Sequence, residues 1–135
     1  MDVSIADATS LSATAGLIDK ALSTYGSDPE PLFAEAGIDL NVCFDPNARI
    51  PTTKLQTLVK LALEATGDAG FGLRAAEQFK PAALQGLGFA WLASDTLHDA
   101  LNRLVRFYRF INPFFKANVD ESESTLDLVL TGPES

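Results

Sequence analysis

The chain has few of the side chains that build metal centres or covalent catalytic sites. Its 135 residues include one cysteine, one histidine and one tryptophan. A single cysteine excludes an internal disulfide. A single histidine cannot complete a zinc site unless carboxylates or that cysteine lie close to it. We therefore expect no metal and no cofactor.

Basic side chains are also scarce, because 10 Lys and Arg stand against 18 Asp and Glu, giving a net charge of −8. Each contact with a phosphate backbone needs a Lys or an Arg, so we expect no direct binding to DNA. The longest apolar stretch, Ala82 to Ala93, is interrupted by Gln85 and is too short to span a membrane. The N-terminus lacks the basic and apolar segments of a secretory signal. These features predict a cytoplasmic globular protein without membrane contact.

The spacing of apolar residues predicts a mostly helical α+β fold in one domain, residues 1–135. Five or six helices are expected, followed by a small C-terminal antiparallel hairpin. We expect residues 1–9 to be frayed and residues 39–49 to form a loop. The predicted helices cover about 12–25, 29–35, 51–66, 70–78, 82–93 and 96–111, and the predicted strands cover 114–119 and 125–130.

Two of these helices carry patterns that predict their environment. The fifth is apolar on nearly every side, which predicts a central position. It also contains Gly86 and Gly88, which lower helix propensity, so a neighbouring backbone or a ligand is expected to approach closely there. The third helix has one apolar stripe that is predicted to face the core: Leu55, Leu58, Val59, Ala62 and Leu63.

Two stretches of the sequence match the pattern of a known family. The first stretch lies between Asp45 and Leu73, and its matching residues are Asp45, Pro46, Ala48, Arg49, Ile50, Pro51, Thr66, Gly67, Asp68, Phe71, Gly72 and Leu73. The second stretch runs from Ser94 to Phe107 and reads SDTLHDALNRLVRF. In their order and spacing, these residues resemble the N-terminal effector-sensing domain of AraC-type transcription regulators, in the subfamily labelled arabinose-binding. The similarity extends from about Leu17 to Leu130.

The resemblance implies a sensor of a small-molecule effector rather than an enzyme. It also implies a C-terminal DNA-binding domain with two helix-turn-helix motifs, which this chain does not contain, so DNA would be reached only through that domain. An isolated two-stranded hairpin is marginally stable in water. Either the helices cover it, a second copy pairs with its edge in a homodimer, or the natural protein continues past Ser135. The resemblance favours the last of these.

Aromatic side chains cluster between residues 79 and 115, and most of them are expected to pack a core. A Gly- and aromatic-rich helix beside a second aromatic-rich helix is also how an apolar pocket with a few polar groups would be built. Such a pocket suits an aliphatic or aromatic compound better than a sugar. The candidate ligand-binding residues are Phe79, Gln85, Phe89, Trp91, Tyr108, Asn112 and Phe115.

Two other classes of function remain open at this point. One is a helical interaction or dimerisation module without a small ligand, and the other is a haem or gas sensor. His98 lies off the apolar face of its helix, which indicates a solvated side chain. Cys43 lies between Val42 and Phe44, which favours a buried or half-buried hydrophobe over a reactive thiol. Arg49 is interpreted as structural, pairing with Asp45 or Asp68 to tie the loop to the end of the third helix. The arginines at 103, 106 and 109 are interpreted as a solvated helix face paired with carboxylates.

Overall fold

Local signals in the sequence set most of the element boundaries. The computed structural model describes residues 4, 7–84, 86–113 and 115–132, and within them it contains six α-helices and four β-strands. Two 3₁₀ helices, Leu40–Phe44 and Pro81–Leu84, lie between these elements. The mostly helical α+β fold with a C-terminal hairpin is confirmed. The elements are β1 (Thr9–Leu11), α1 (Ala13–Thr24), α2 (Pro29–Ala36), β2 (Arg49–Pro51), α3 (Thr52–Thr66), α4 (Phe71–Glu77), α5 (Gly86–Leu92), α6 (Leu97–Ile111), β3 (Lys116–Glu121) and β4 (Leu126–Thr131).

Capping residues explain where several helices begin and end. The Asp28 side chain accepts a hydrogen bond from the Glu30 backbone N–H at the start of α2. Gly37 and Gly67 end α2 and α3 with φ values of 74° and 62°, a left-handed conformation that glycine adopts without steric cost. The Thr96 hydroxyl accepts from the Asp99 N–H at 3.1 Å and begins α6.

The chain divides into two compact units, residues 1–80 and residues 81–135. The single-domain organisation expected from the length stays a prediction. In the first unit, α1 to α4 together with Ile38 and Ile50 form one buried apolar cluster, with partly buried side chains such as Cys43 packed against it. The cluster contains Ala15, Ile18, Ala21, Leu22, Phe33, Ala36, Ile38, Ile50, Leu55, Leu58, Ala62 and Phe71.

The first unit also contains a short strand pair that the sequence patterns did not reveal. Strands β1 and β2 pair antiparallel, with Ser10 opposite Ile50. The predicted frayed start is therefore wrong at Thr9, the predicted loop is wrong at Arg49, and Pro51 ends a strand instead of beginning the third helix. Three-residue strands are too short for a visible alternation, and their partners lie about 40 positions apart in the chain. The Arg49 guanidinium donates to the hydroxyl and carbonyl of Thr9, each at 2.8 Å, so the structural role of Arg49 is confirmed, while its pairing with Asp45 or Asp68 stays a prediction.

The buried stripe of α3 is narrower than predicted. Leu55, Leu58 and Ala62 are buried, whereas Val59 and Leu63 are exposed. Val59 and Leu63 are apolar and lie on the same side of the helix as the buried residues, but the neighbouring helices cover only Leu55, Leu58 and Ala62.

In the second unit, α5 packs against the 3₁₀ helix Pro81–Leu84 and against α6, and α6 packs against β3. Strands β3 and β4 form the predicted antiparallel hairpin, with Lys116 opposite Thr131 and Glu121 opposite Leu126. Both strands are six residues long. They begin two residues and one residue later, respectively, than the apolar pattern indicated.

The predicted central position of α5 is wrong. Phe89 is 62% exposed, Leu92 is exposed as well, and Gly88 is the buried position among the described residues of the helix. The seven-residue helix is apolar all round, but its neighbours contact one side of it. Gly88 faces the Pro81 backbone so closely that a Cβ atom there would overlap the Pro81 carbonyl oxygen, whereas Gly86 faces open space. A close backbone approach therefore explains one glycine of the pair.

Candidate functional site

Four of the predicted ligand-binding residues lie on consecutive, packed elements of the second unit. Trp91 is on α5, Tyr108 is near the end of α6, Asn112 is the C-cap of α6, and Phe115 comes directly before β3. All four side chains are half-buried. The Asn112 N–H donates to the Tyr108 carbonyl at 3.0 Å, and this bond closes the last turn of α6. Burial raises the pKa of the Tyr108 hydroxyl, as expected where water is partly excluded.

The remaining candidates are placed differently. Phe89 is on α5 and points largely into solvent, as its 62% exposure shows. Phe79 belongs to the first unit and is also exposed. Gln85 lies outside the described residues. Their assignment to a ligand site stays a prediction.

Arg103 has a role that its spacing did not reveal. Its guanidinium Nη1 donates to the Ala90 carbonyl at 2.8 Å and to the Ser94 hydroxyl at 3.0 Å. These bonds join α6 to the end of α5. The interpretation that Arg103 pairs with a carboxylate on a solvated face is therefore incomplete, because backbone carbonyl acceptors at a helix end leave no mark in the sequence.

His98 is exposed, and its interpretation as a solvated side chain is confirmed. Its Nε2 lies 3.2 Å from a Glu121 carboxylate oxygen, a contact between α6 and β3. An axial haem ligand would need to face an apolar pocket, and this position does not. In the part of the chain that the structure describes, no group of three or more His, Cys, Asp or Glu side chains is arranged to hold a metal ion.

Cys43 is half-buried and packs against the core of the first unit, as predicted. Burial is the main cause that raises the pKa of its thiol, to about 11. A nucleophilic or redox-active cysteine needs the opposite shift, toward the thiolate. The interpretation of Cys43 as a small packed hydrophobe is therefore confirmed.

A comparison with protein-family models decides the family. The model described as the N-terminal arabinose-binding domain of AraC transcription regulators matches residues 26–134. The chain belongs to this family. The match covers most of the sequence and includes α2 to α6 and both strands of the hairpin. No curated protein matches the chain.

Membership of the arabinose-binding AraC family makes this chain a ligand-sensing regulatory domain. The resemblance based on the two motif stretches is thereby confirmed. Among the described residues, none of the helices is long and apolar enough to cross a membrane.

The motif at 66–73 of this AraC-family domain is structural in the first unit. The Tyr25 hydroxyl, at the end of α1, donates to an Asp68 carboxylate oxygen at 2.5 Å. The other Asp68 oxygen accepts from the Gly70 N–H at 2.8 Å. The Tyr25 ring also packs against Phe71, with ring centroids 5.8 Å apart. Asp68 thus joins the end of α1 to the turn between α3 and α4.

This arrangement predicts that Asp68 stabilises the fold near neutral pH and that this contribution is lost in acid. The hydrogen bond from Tyr25 is the main cause that lowers the Asp68 pKa below its usual 3.8. A carboxyl group with a lowered folded-state pKa stabilises the fold above its unfolded pKa, and this contribution is lost as pH falls through the folded pKa. We expect Asp68→Asn to flatten the decrease in unfolding free energy between about pH 5 and about pH 2. Urea unfolding followed by circular dichroism at several pH values measures it.

Tyr25→Phe serves as the partner variant in that experiment, because it removes the hydroxyl whose hydrogen bond lowers the pKa of Asp68. Both variants should show a weaker pH dependence than the unmodified chain, with the smaller change in Tyr25→Phe, because the Gly70 N–H still lowers the pKa of Asp68 there. Equal pH dependence in all three proteins would contradict the assigned role of Asp68.

Proposed function

We propose that this AraC-family domain binds its effector among the half-buried aromatic and polar side chains of the second unit. The observation that carries the proposal is the placement of Trp91, Tyr108, Asn112 and Phe115 on packed, consecutive elements of a ligand-sensing domain. Effector binding would favour one arrangement of this domain and so change the activity of a DNA-binding domain, which is a population shift between two states. The proposal includes a cytoplasmic location and no catalytic activity.

The chemistry of these side chains suits an apolar or aromatic effector. Trp91, Tyr108 and Phe115 offer ring faces and apolar area, and each large aromatic contact contributes through burial. The Tyr108 hydroxyl and the Asn112 amide supply polar groups that would orient the ligand. A sugar carries a hydroxyl on almost every carbon and needs a larger number of hydrogen-bonding side chains than these four supply.

Fluorescence provides a direct test, because Trp91 is the one tryptophan in the sequence. The unmodified chain would be titrated with phenylacetate, decanoate and L-arabinose, with isothermal titration calorimetry as the second readout. We expect an apolar probe to change the Trp91 emission and to bind more tightly than L-arabinose. Tyr108→Ala should weaken that binding at least about tenfold, which corresponds to about 1.4 kcal/mol.

Phe44→Ala is the matched control, because Phe44 is an exposed aromatic residue of the first unit. Its probe affinity should equal that of the unmodified chain. The proposed site is wrong if L-arabinose is preferred and Tyr108→Ala leaves its affinity unchanged. It is also wrong if none of the three probes alters Trp91 emission or releases heat at millimolar concentration.

Self-association is the second part of the proposal. The second unit exposes large apolar side chains on both of its helices and on the hairpin, and such surface is often covered by a partner. These side chains are Phe89, Leu92, Leu97, Phe107, Phe110, Leu128, Val129 and Leu130. In a dimer, effector binding could also change how the two copies are arranged relative to each other.

A further inference from the structure

The C-terminal end of α5 is held by side-chain hydrogen bonds as well as by its own backbone. The Ala90 carbonyl accepts from the Ser94 hydroxyl and from Nη1 of Arg103, each at 2.8 Å. The same Nη1 donates to the Ser94 hydroxyl at 3.0 Å. Arg103, Ser94 and the Ala90 carbonyl therefore form a closed network, in which each group bonds to the other two.

This network lies on both sides of Trp91 in the chain. Ala90 comes directly before Trp91, and the Ser94 N–H donates to the Trp91 carbonyl at 3.2 Å. Arg103 therefore bonds to the residue before Trp91 and to the residue that closes the turn after it. Because the allowed side-chain rotamers depend on the backbone, fixing this turn also limits the directions in which the indole can point.

Other interactions fix this end of α5 weakly. The helix has seven residues, and a helix this short is unstable by itself in water. Phe89 and Leu92 are exposed, so burial on their side of the helix contributes little. The close approach of the Pro81 backbone fixes the helix at Gly88, in its first half. Within the described residues, Arg103 supplies the hydrogen bonds from α6 to the other end.

The chemistry of Arg103 suits orientation more than stability. The carbonyls at the C-terminal end of a helix lack intrahelical donors and carry partial negative charge, so a guanidinium is favourable there. Its planar group also fixes the directions of two hydrogen bonds at once. Arg103 is exposed, however, so water competes for both partners and the bonds add little to the free energy of unfolding. Their main consequence is therefore the orientation of the end of α5 against α6.

We propose that Arg103 is a positioning residue of the effector site. It acts through Ala90 and Ser94, and it holds the turn that carries Trp91 in the orientation that binds the effector together with Tyr108 of α6. This rests on the proposed function and names a residue that prepares its site. Without Arg103, the turn samples other orientations, and the apparent dissociation constant rises in inverse proportion to the fraction of binding-competent chains. The contacts between effector and protein in the complex stay the same.

Fluorescence of the effector-free chain measures this positioning directly, because Trp91 is the one tryptophan in the sequence. Arg103→Met keeps a long apolar side chain and removes the donors. It should increase the quenching of Trp91 by acrylamide and leave far-UV circular dichroism unchanged. Arg106→Met is the matched control, because Arg106 is an exposed arginine of the same helix whose guanidinium lies over the Phe107 ring, 5.5 Å from its centroid. Its quenching should equal that of the unmodified chain.

Binding of decanoate and phenylacetate tests the consequence for the site. If Arg103→Met lowers the competent fraction to about a tenth, the apparent dissociation constant rises about tenfold. Stopped-flow fluorescence should show this loss in the association rate, with an unchanged dissociation rate, because Arg103 does not contact the probe. Ser94→Ala should act in the same direction. The double variant should lose less affinity than the two single losses combined, because both residues belong to one network.

Three results would overturn the role of Arg103: unchanged acrylamide quenching in Arg103→Met, an equal increase in Arg106→Met, or additive losses of affinity in the double variant. Faster dissociation with unchanged association would also overturn it, since that result indicates direct contact with the probe. If Arg103→Met does not fold, Ser94→Ala decides by the same measurements. If the unmodified chain binds none of the probes, the effector site itself is wrong. Normal binding with unchanged quenching contradicts the role of Arg103 alone, so the two failures are distinguishable.

Discussion

Gly88→Ala is expected to lower the unfolding free energy of the second unit by about 2 kcal/mol. A Cβ at this position would overlap the Pro81 carbonyl, which is backbone and cannot rotate away. Helix α5 would have to move from the 3₁₀ helix Pro81–Leu84, at a cost of about 3 kcal/mol. The better helix propensity of alanine offsets about 1 kcal/mol of that. Urea unfolding followed by Trp91 fluorescence reports on α5 directly.

Gly86→Ala is the control for this prediction, since it makes the same substitution two residues earlier in the same helix. No neighbouring atom lies within 4 Å of a Cβ built on Gly86. Its free energy of unfolding should therefore be unchanged or higher by up to about 1 kcal/mol. If the two alanine variants unfold at the same urea concentration, the close approach of Pro81 does not make the stability of the second unit depend on a glycine at position 88.

Phe33→Ala is expected to have the largest effect on the first unit, a loss of about 3–5 kcal/mol. Phe33 is 1% exposed and belongs to the cluster formed by α1 to α4. The loss combines the apolar area returned to water with the cavity that remains among neighbours held by their own helices. Small domains are stable by about 5–15 kcal/mol in total, so this single change should bring the first unit close to unfolding. Circular dichroism at 222 nm during urea unfolding measures the effect.

Phe44→Ala makes the same chemical change at a side chain that is 79% exposed. Its free energy of unfolding should stay within about 0.5 kcal/mol of the unmodified chain. Comparable destabilisation by both variants would mean that Phe33 does not lie in the buried core described above.

The family assignment and the candidate ligand site depend on different parts of the chain. The motif residues around Asp68 identify an arabinose-binding AraC domain, yet they join α1, α3 and α4 within the first unit. The residues proposed to meet the effector lie in the second unit, between Trp91 and Phe115. A variant such as Asp68→Asn should therefore change stability more than effector affinity, and Tyr108→Ala should do the reverse.

Helix boundaries were predictable because their signals are local. Asp28, Gly37, Gly67 and Thr96 cap helices through bonds or dihedral angles that involve residues a few positions away. The family motifs, the hairpin and the solvated position of His98 were equally accessible, because each depends on the order and spacing of residues along one segment.

Burial and long-range contacts were not predictable in the same way. The pairing of β1 with β2 and the bond between Tyr25 and Asp68 join segments that are distant in sequence. The exposure of α5 depends on which side of the helix has a neighbour. Apolar periodicity states which residues can be buried, but the number and position of packed neighbours decide which of them are.

The two glycines of α5 show this division most clearly. Their presence in an apolar helix indicated a close approach, and the sequence alone treated them alike. Pro81 lies against Gly88, while Gly86 faces open space. Conformational preference is a property of each residue and its neighbours in the chain. Steric contact is a property of two segments brought together, so only the folded arrangement could distinguish these two positions.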